Sequence, residues 1–200
     1  MPLMSSLRKP SPDLIRAFLA DQAKLSLSYP AVGATAATPP PGYAVDHTRV
    51  RLGDGEKVFT LAAAALARWD HFRLGWVEAW SPAPQIAVGT PVAVLARVLG
   101  LWWLNACRVV YLVDDSQGPV RRRGFAYGTL PGHAETGEER FQIEWDQSDG
   151  SVYYDILAFS RPRHVLARLG YPLTRMFQRR FARDSAAAVC RAIMAHYGRQ

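Results

Sequence analysis

The amino-acid sequence predicts an α+β protein in which a curved antiparallel β-sheet wraps around a long C-terminal helix. Two observations indicate this fold class. Strand-like segments follow one another between residues 76 and 159, and the turns between them are short enough to require antiparallel hairpins. A stretch with helical spacing then runs to about Tyr197. We expect one domain over residues 1–200, with an N-terminal helix at about 12–28 and a main body at about 43–198.

The first part of the chain predicts a helix, a loop, a strand and a second helix. Ser11, Pro12 and Asp13 form a typical helix N-terminus, and Tyr29-Pro30 would end that helix. Glycine, proline and small residues dominate residues 33–43, which predicts an irregular loop. After this loop, successive residues alternate between two faces, as in a half-buried strand. A glycine-rich turn follows, and the apolar residues beyond it recur at helical spacing. The predicted strand is Val45–Leu52, and the predicted second helix is Val58–Phe72.

The remaining elements predict an antiparallel meander and a closing helix. Turn sequences such as Ser148-Asp149-Gly150 separate the strands. The last helical region begins at Arg161-Pro162, breaks near Gly170-Tyr171-Pro172 and then continues. The predicted strands are Trp76–Trp80, Thr90–Val98, Ala106–Val113, Arg122–His133, Glu138–Asp146 and Val152–Phe159.

The composition is that of a globular protein without a membrane span or a disulfide framework. Apolar residues make up 49% of the chain and charged residues 20%, and no apolar run approaches the roughly 20 residues that a membrane helix needs. No secretory signal is visible, so we expect a soluble cytoplasmic protein. Cys107 and Cys190 are expected to be buried, reduced thiols. No phosphate-binding glycine loop, zinc pattern or nucleophile elbow is present, so no cofactor and no metal are implied.

Positive charge is concentrated at the C-terminal end of the chain. The net charge is +7, and from Arg161 onward nine arginines face a single acidic residue, Asp184. Such a basic helix can contact nucleic acid or an acidic membrane surface. It can equally be the solvated face of a helix whose apolar face is held by a sheet, which we favour because the aromatic residues lie away from the charges. The apolar side is Leu173, Phe177 and Phe181, and the basic side is Arg175, Arg179 and Arg183.

Several motifs resemble the uncharacterised protein family 0548 of bacteria and plants. That family has no established activity, so the resemblance implies no catalytic residue. The order of elements is also similar to that of helix-grip proteins, which include START-type lipid-transfer domains, Bet v 1-like plant allergens and aromatic polyketide cyclases, and this implies a container fold. The family motifs lie between about 28 and 185 and are Tyr29-Pro30 with Gly33-Ala34-Thr35, Pro40–Tyr43, Gly75-Trp76-Val77, Asn105 with Cys107–Tyr111, Gly124–His133, Gly137–Phe141, Ala158–Pro162 and Leu169–Pro172.

The richest group of polar residues falls on one predicted hairpin. Tyr127 and Thr129 share a strand face, and Glu139 lies at the rim of an otherwise apolar face on the returning strand. If that face lines a cavity, these side chains fix the polar end of a ligand, while His133 exchanges protons with Glu135 or Glu139 as its partner. The alternative is a hairpin tip with solvated acids and a histidine that caps its own turn. The same residues lack the spacing of a metal site.

Two further groups are candidates for ligand contact. Asn105 and Arg108 begin an apolar strand, and a buried Arg108 would need a carboxylate partner such as Glu139 or Asp155. Adjacent tryptophans in an extended chain point to opposite faces, so one of Trp102 and Trp103 is either exposed, as a ligand gate or partner contact, or covered by a helix.

Three hypotheses for function follow. The first is a binding protein that holds an apolar, lipid-like or aromatic molecule in a cavity of several hundred Å³ between the sheet and the C-terminal helix. Its ligand-binding residues would be Asn105, Arg108, Tyr127, Thr129, Glu139 and Trp103. The second is a cyclase- or hydrolase-type enzyme that uses His133 with Glu135 or Glu139. The third is an interaction protein that acts through a Trp102-Trp103 loop or the basic helix.

Overall fold

Tight turns and strand periodicity build most of the molecule as successive hairpins. A computed structural model describes residues 4–83, 85–162 and 171–197. Two short 3₁₀ turns occur at Ala34–Ala36 and Asp70–Phe72. The strands are β1 (Met4–Ser6), β2 (Ala44–Asp54), β3 (Val77–Trp80), β4 (Pro91–Val98), β5 (Leu101–Asp115), β6 (Val120–Thr129), β7 (Glu135–Asp146) and β8 (Ser151–Pro162). The helices are α1 (Pro12–Gln22), α2 (Gly55–Ala67) and α3 (Tyr171–Tyr197).

The strands form one antiparallel sheet of eight strands in the order β2-β8-β7-β6-β5-β4-β3, with β1 beside β5. From β3 to β8 each strand pairs with the next along the chain, and from β4 onward short turns require this pairing. The β4–β5 turn is the tightest, because Leu99 and Gly100 both adopt positive φ angles, of 52° and 81°. The antiparallel sheet and the long C-terminal helix confirm the α+β helix-grip prediction.

The concave face of the sheet holds the main core. Alternate residues of neighbouring strands point to this face, so Phe125, Phe141 and Tyr154 lie side by side and are almost completely buried. Phe59 of α2 belongs to the same buried cluster, and its ring centroid is 5.8 Å from that of Trp145. Phe181 of α3 has its ring centroid 6.2 Å from that of Phe141. Burying each such ring stabilises the fold by about 1.5–3 kcal/mol, so this aromatic cluster fixes both helices against the sheet.

The convex face carries a second, smaller core under α1. Ile15, Phe18 and Leu19 of α1 pack against apolar residues of β4 and β5, including Leu95 and Leu104. These two strands are therefore apolar on both faces. Trp102 joins this cluster, and the ammonium group of Lys9 lies 5.4 Å from the centre of its ring.

Three expectations about element boundaries are corrected. The helix α1 ends at Gln22 and not near residue 28, because Arg108 of β5 binds the carbonyl groups of Ala23 and Leu25 just beyond it. The segment with the two tryptophans is the start of β5 and not a loop. Arg161-Pro162 ends β8, and the predicted helix start and break over 163–170 lie outside the described residues.

The arginines of α3 do not form one solvated stripe. Arg179 and Arg183 are exposed as expected. Arg175 instead turns toward the sheet and forms an ion pair with Asp46 of β2. Arg180 lies over the ring of Trp76, at 4.5 Å. No helix in the described part of the chain is long and apolar enough to span a membrane.

Candidate ligand-binding site on the concave face

Tyr127 and Glu139 form a polar pair within the apolar concave face. They are directly opposite each other on β6 and β7, and Ala158 of β8 is opposite Glu139 on the other side. The Tyr127 hydroxyl donates a hydrogen bond to Glu139 Oε2 over 2.8 Å. The sequence pattern had predicted that these two side chains share a face, and the register explains why they also touch.

The surroundings of the Glu139 carboxylate disfavour its negatively charged form. Burial raises its pKa to about 7, and the nearby charges of Glu135 and Asp46 act in the same direction, while the hydrogen bond from Tyr127 opposes the shift. Its side chain nevertheless keeps some solvent-accessible surface. Glu139 can therefore gain or lose a proton near neutral pH.

Glu135 lies at the same end of the face and is tied to α3. Gln178 Nε2 donates to both oxygens of Glu135, at 3.0 and 2.9 Å, and to Ser160 Oγ at 3.1 Å. Gln178 Oε1 in turn accepts a hydrogen bond from Arg175 over 2.9 Å. Burial raises the pKa of Glu135, and the hydrogen bond from Gln178 partly offsets that shift. Through these contacts α3 lies against the polar end of the concave face, which is the end that carries Glu135 and Glu139.

The concave face divides into a filled part and an accessible part. Around Phe125, Phe141 and Tyr154 the space between the sheet and the helices is packed by aromatic rings, so the expected cavity of several hundred Å³ does not lie in this part of the concave face. Two open clefts of about 420 Å³ each lie elsewhere, beside α2 and the Asp70–Phe72 turn. Toward the polar end, facing residues of the sheet and α3 are only half-buried. This accessible half of the concave face comprises Ala96, Trp103, Glu139 and Ala158 on the sheet and Phe177 and Gln178 on α3.

The remaining four predicted ligand-binding residues do not all lie beside the Tyr127–Glu139 pair. Trp103 lies on the accessible half, opposite Ala96. Asn105 lies on the same face, but its amide is already bound to Val94 O, at 3.4 Å, and to the Ala134 N–H, at 3.1 Å. Thr129 Oγ1 accepts the Gly137 N–H over 2.9 Å and is 2.6 Å from Ser28 Oγ. Arg108 is on the convex face, 2.7 Å from Ala23 O, so it is not part of this group.

His133 caps its own turn. Its Nδ1 atom accepts a hydrogen bond from the Glu135 N–H over 3.0 Å and lies 3.2 Å from the Glu135 carbonyl oxygen. These contacts involve the main chain of Glu135, not its carboxylate. The arrangement matches the turn-capping interpretation more closely than the catalytic one.

Glu138, next to Glu139 in β7, has a structural role that the sequence pattern did not reveal. Its carboxylate accepts hydrogen bonds from Tyr29 Oη at 2.6 Å, Gly33 N at 2.7 Å, Thr35 N at 2.9 Å and Thr35 Oγ1 at 2.5 Å. Gly128 allows this approach, because a β-carbon there would lie 2.1 Å from Tyr29 Oη. The one signal for this contact was a run of hydroxyl and glycine residues in the 28–43 loop.

Other site residues missed by the sequence pattern are long-range partners of the predicted ones. Asp46, Ser160, Arg175 and Gln178 all contact the polar end of the concave face from β2, β8 and α3. Periodicity assigned Arg175 to a solvated face, because it does not encode which strand a helix approaches. The described residues contain no group of three or more His, Cys, Asp and Glu side chains that would hold a metal ion.

Comparison with known proteins identifies the family. The family model for a domain of unknown function, DUF1990, matches residues 28–188. A UPF0548 protein of Dictyostelium discoideum is 42% identical over 156 residues, which cover 74% of this chain and 72% of that protein. A UPF0548 protein of Arabidopsis thaliana is 37% identical over 158 residues, covering 77% and 75%.

Solved structures with a similar fold have very different sequences. A norcoclaurine synthase from Thalictrum flavum shares 13% identity at a TM-score of 0.49, covering 78% of this chain and 96% of that one. Human STARD10 shares 12% identity at a TM-score of 0.48, covering 92% and 80%. The chain belongs to the uncharacterised UPF0548 family, matches the DUF1990 family model over most of its length and has a helix-grip fold.

Proposed function

We propose that the protein binds a small molecule whose apolar or aromatic body lies between the accessible half of the concave face and α3. The observation that carries this proposal is the Tyr127–Glu139 pair, a half-buried glutamate that binds a buried tyrosine hydroxyl within an otherwise apolar face. A few placed polar groups in an apolar surround are typical of small-molecule sites. The helix-grip fold also suggests a ligand-binding protein. We also propose a cytoplasmic location, which the free thiols of Cys107 and Cys190 support.

The polar end of the ligand is a hydrogen-bond donor. Within the described residues Glu139 accepts one hydrogen bond, from Tyr127, and the Tyr127 proton is used in that bond. The remaining lone pairs of the Glu139 carboxylate are the acceptors left for a ligand. A hydroxyl or amino group on an aromatic or aliphatic body meets this requirement.

Native mass spectrometry of the purified protein is the first test, because a retained small molecule would appear as a mass difference. The second test compares two fluorescent probes, 2-(1-naphthyl)ethanol and 1-ethylnaphthalene, which differ in one hydroxyl donor. We expect the alcohol to bind more tightly, and Glu139→Leu to weaken it about tenfold while leaving 1-ethylnaphthalene unchanged. Glu56→Leu, at an exposed carboxylate, is the matched control. No retained molecule together with no binding of either probe would overturn the proposal.

The pKa of Glu139 favours a second candidate function, an enzyme that transfers a proton at this carboxylate. A value of about 7 suits a general acid or base at neutral pH. In this version Glu139, and not His133, is the acid–base group. Incubating a retained ligand in D₂O with the wild-type protein and with Glu139→Gln tests it, since proton transfer at a carbon atom of the ligand incorporates deuterium, and a mass gain that forms only with the wild type is the expected result. No deuterium at carbon in either incubation excludes it.

A further inference from the structure

A basic cleft lies between α2, the Asp70–Phe72 turn and the C-terminal half of α3. Its volume is about 420 Å³, and none of its lining residues belongs to the accessible half of the concave face. The floor is apolar and shallow because Ala188, Ala192 and Ala195 follow one another at helical spacing on α3, opposite Leu61 of α2. Small side chains at these positions leave the space between the two helices open.

Two arginines on one side of the cleft are held in place by a mostly buried acid. Arg68 donates to Asp70 Oδ2 through Nε at 3.0 Å and Nη2 at 2.8 Å. Arg73 Nη1 lies 3.3 Å from Asp70 Oδ1. The Asp70 side chain is 11% exposed, whereas those of Arg68 and Arg73 are 55% and 73% exposed. Asp70 therefore orients the two guanidinium groups, and their other N–H groups have no partner in the described part of the chain and can bind a ligand.

A third arginine lines the cleft from α3. Arg191 is exposed, and it makes no hydrogen bond or ion pair with any residue in the described part of the chain. His196 lines the same cleft about one turn further along α3. Three arginines against one aspartate leave a local excess of positive charge that no described side chain neutralises.

We propose that this cleft binds a phosphate-bearing ligand. Guanidinium groups form paired hydrogen bonds with phosphate oxygens, and the two negative charges of a phosphate monoester match the excess positive charge of the lining. A volume of about 420 Å³ accommodates a phosphate with a small organic group. Among the described residues that line the cleft there is no Phe, Tyr or Trp side chain on which successive nucleic-acid bases would stack. The inference is independent of the proposed function, because it uses a different part of the molecule.

Isothermal titration with glycerol 3-phosphate, at low ionic strength, tests the site. Arg191→Gln removes the unpaired guanidinium without disturbing the core, and Arg179→Gln removes an exposed arginine of the same helix outside the cleft. We expect at least tenfold weaker binding for Arg191→Gln and less than a twofold change for Arg179→Gln. Equal losses in both variants, or no binding by the wild type, would overturn the inference.

Vesicles distinguish a lipid headgroup from a soluble phosphate as the source of the ligand. Co-sedimentation with phosphatidic acid vesicles that is lost in Arg191→Gln and competed by glycerol 3-phosphate indicates the headgroup. Binding of glycerol 3-phosphate without vesicle binding indicates a soluble ligand. Vesicle binding that responds equally to Arg191→Gln and Arg179→Gln is a general charge effect and counts against the cleft.

Discussion

Glu138 and Glu139 are neighbours in β7, yet their carboxylates have opposite surroundings. Glu138 lies on the convex face and accepts four hydrogen bonds from Tyr29, Gly33 and Thr35. Glu139 lies on the concave face and, among the described residues, accepts one, from Tyr127. The alternation of a strand places adjacent side chains on different faces, so one carboxylate binds the loop that contains Gly33 and Thr35 while the other faces the concave side of the sheet.

Glu138→Gln is expected to destabilise the protein by about 2–4 kcal/mol. The amide removes the buried charge and places an NH₂ group against donors that now need an acceptor. The amides of Gly33 and Thr35 should lose protection from hydrogen exchange before the rest of the fold. Chemical denaturation provides the free energy of unfolding, with Glu56→Gln as the exposed control. A loss no larger than that of the control would contradict the role assigned to Glu138.

Glu139→Gln is expected to stabilise the protein at pH 8 and to have little effect at pH 4.5. The pKa of Glu139 in the folded protein is about 7, above its ordinary value of 4.5. Between these values the folded state holds a proton that the unfolded state has lost, so stability falls as pH rises through this window. Removing the charge should raise the free energy of unfolding by about 1–3 kcal/mol at pH 8. Thermal unfolding at both pH values checks this, and equal shifts at pH 4.5 and 8 would argue against it.

His71 should limit stability in acid. It lies inside the aromatic cluster, with its ring centroid 4.9 Å from that of Phe141, and neither ring nitrogen has a hydrogen-bond partner in the described part of the chain. Burial lowers its pKa to about 3, below the ordinary value of 6.5. The unfolded state therefore binds an extra proton as pH falls from 6.5 toward 3, and stability is lost over that range.

His71→Leu is expected to lose less stability in acid than the wild type. Between pH 7 and pH 3.5 its free energy of unfolding should fall by about a few kcal/mol less. Urea denaturation across this range measures the effect. His47→Gln, at a half-exposed histidine on β2, is the control. If the slope of stability against pH is the same in His71→Leu and the wild type, the buried neutral histidine is not the cause.

Phe181→Ala should show how strongly α3 is held. The Phe181 ring packs 5.1 Å from Phe72 and 6.2 Å from Phe141, measured between centroids. Its removal is expected to cost about 3 kcal/mol. Leu173→Ala, on an exposed part of the same helix, should cost less than about 0.5 kcal/mol. Similar costs for the two variants, measured by denaturation, would mean that α3 is not anchored through this contact.

The concave face itself was largely predictable, because it depends on local periodicity. The period of two in β6 and β7 placed Tyr127 and Glu139 on one face, and short turns fixed the antiparallel pairing that brings them together. The 3.6-residue spacing of Phe177 and Phe181 gave α3 an apolar side, and both rings do contact the body of the protein. These features require only residues that are near one another in the chain or in adjacent strands.

Contacts between distant segments were not predictable in the same way. The partner of Arg175 is Asp46, 129 residues away, and the donors to Glu138 lie more than 100 residues before it. Arg108 was expected to need a carboxylate, but it binds carbonyl groups beyond α1. A charged group accepts any suitable partner that the folded chain brings near, and periodicity does not say which one that is.

The sequence by itself determined the element order, the antiparallel sheet and the division of β7 into two faces, because each follows from local sterics and the burial of alternate side chains. The tertiary structure alone decided that aromatic rings fill one part of the concave face and leave the Glu139 end accessible. It also decided which arginines are neutralised and which, like Arg191, have no acidic partner among the described residues. Packing and charge pairing depend on which distant surfaces meet when the sheet curves around α3, and no short stretch of sequence contains that information.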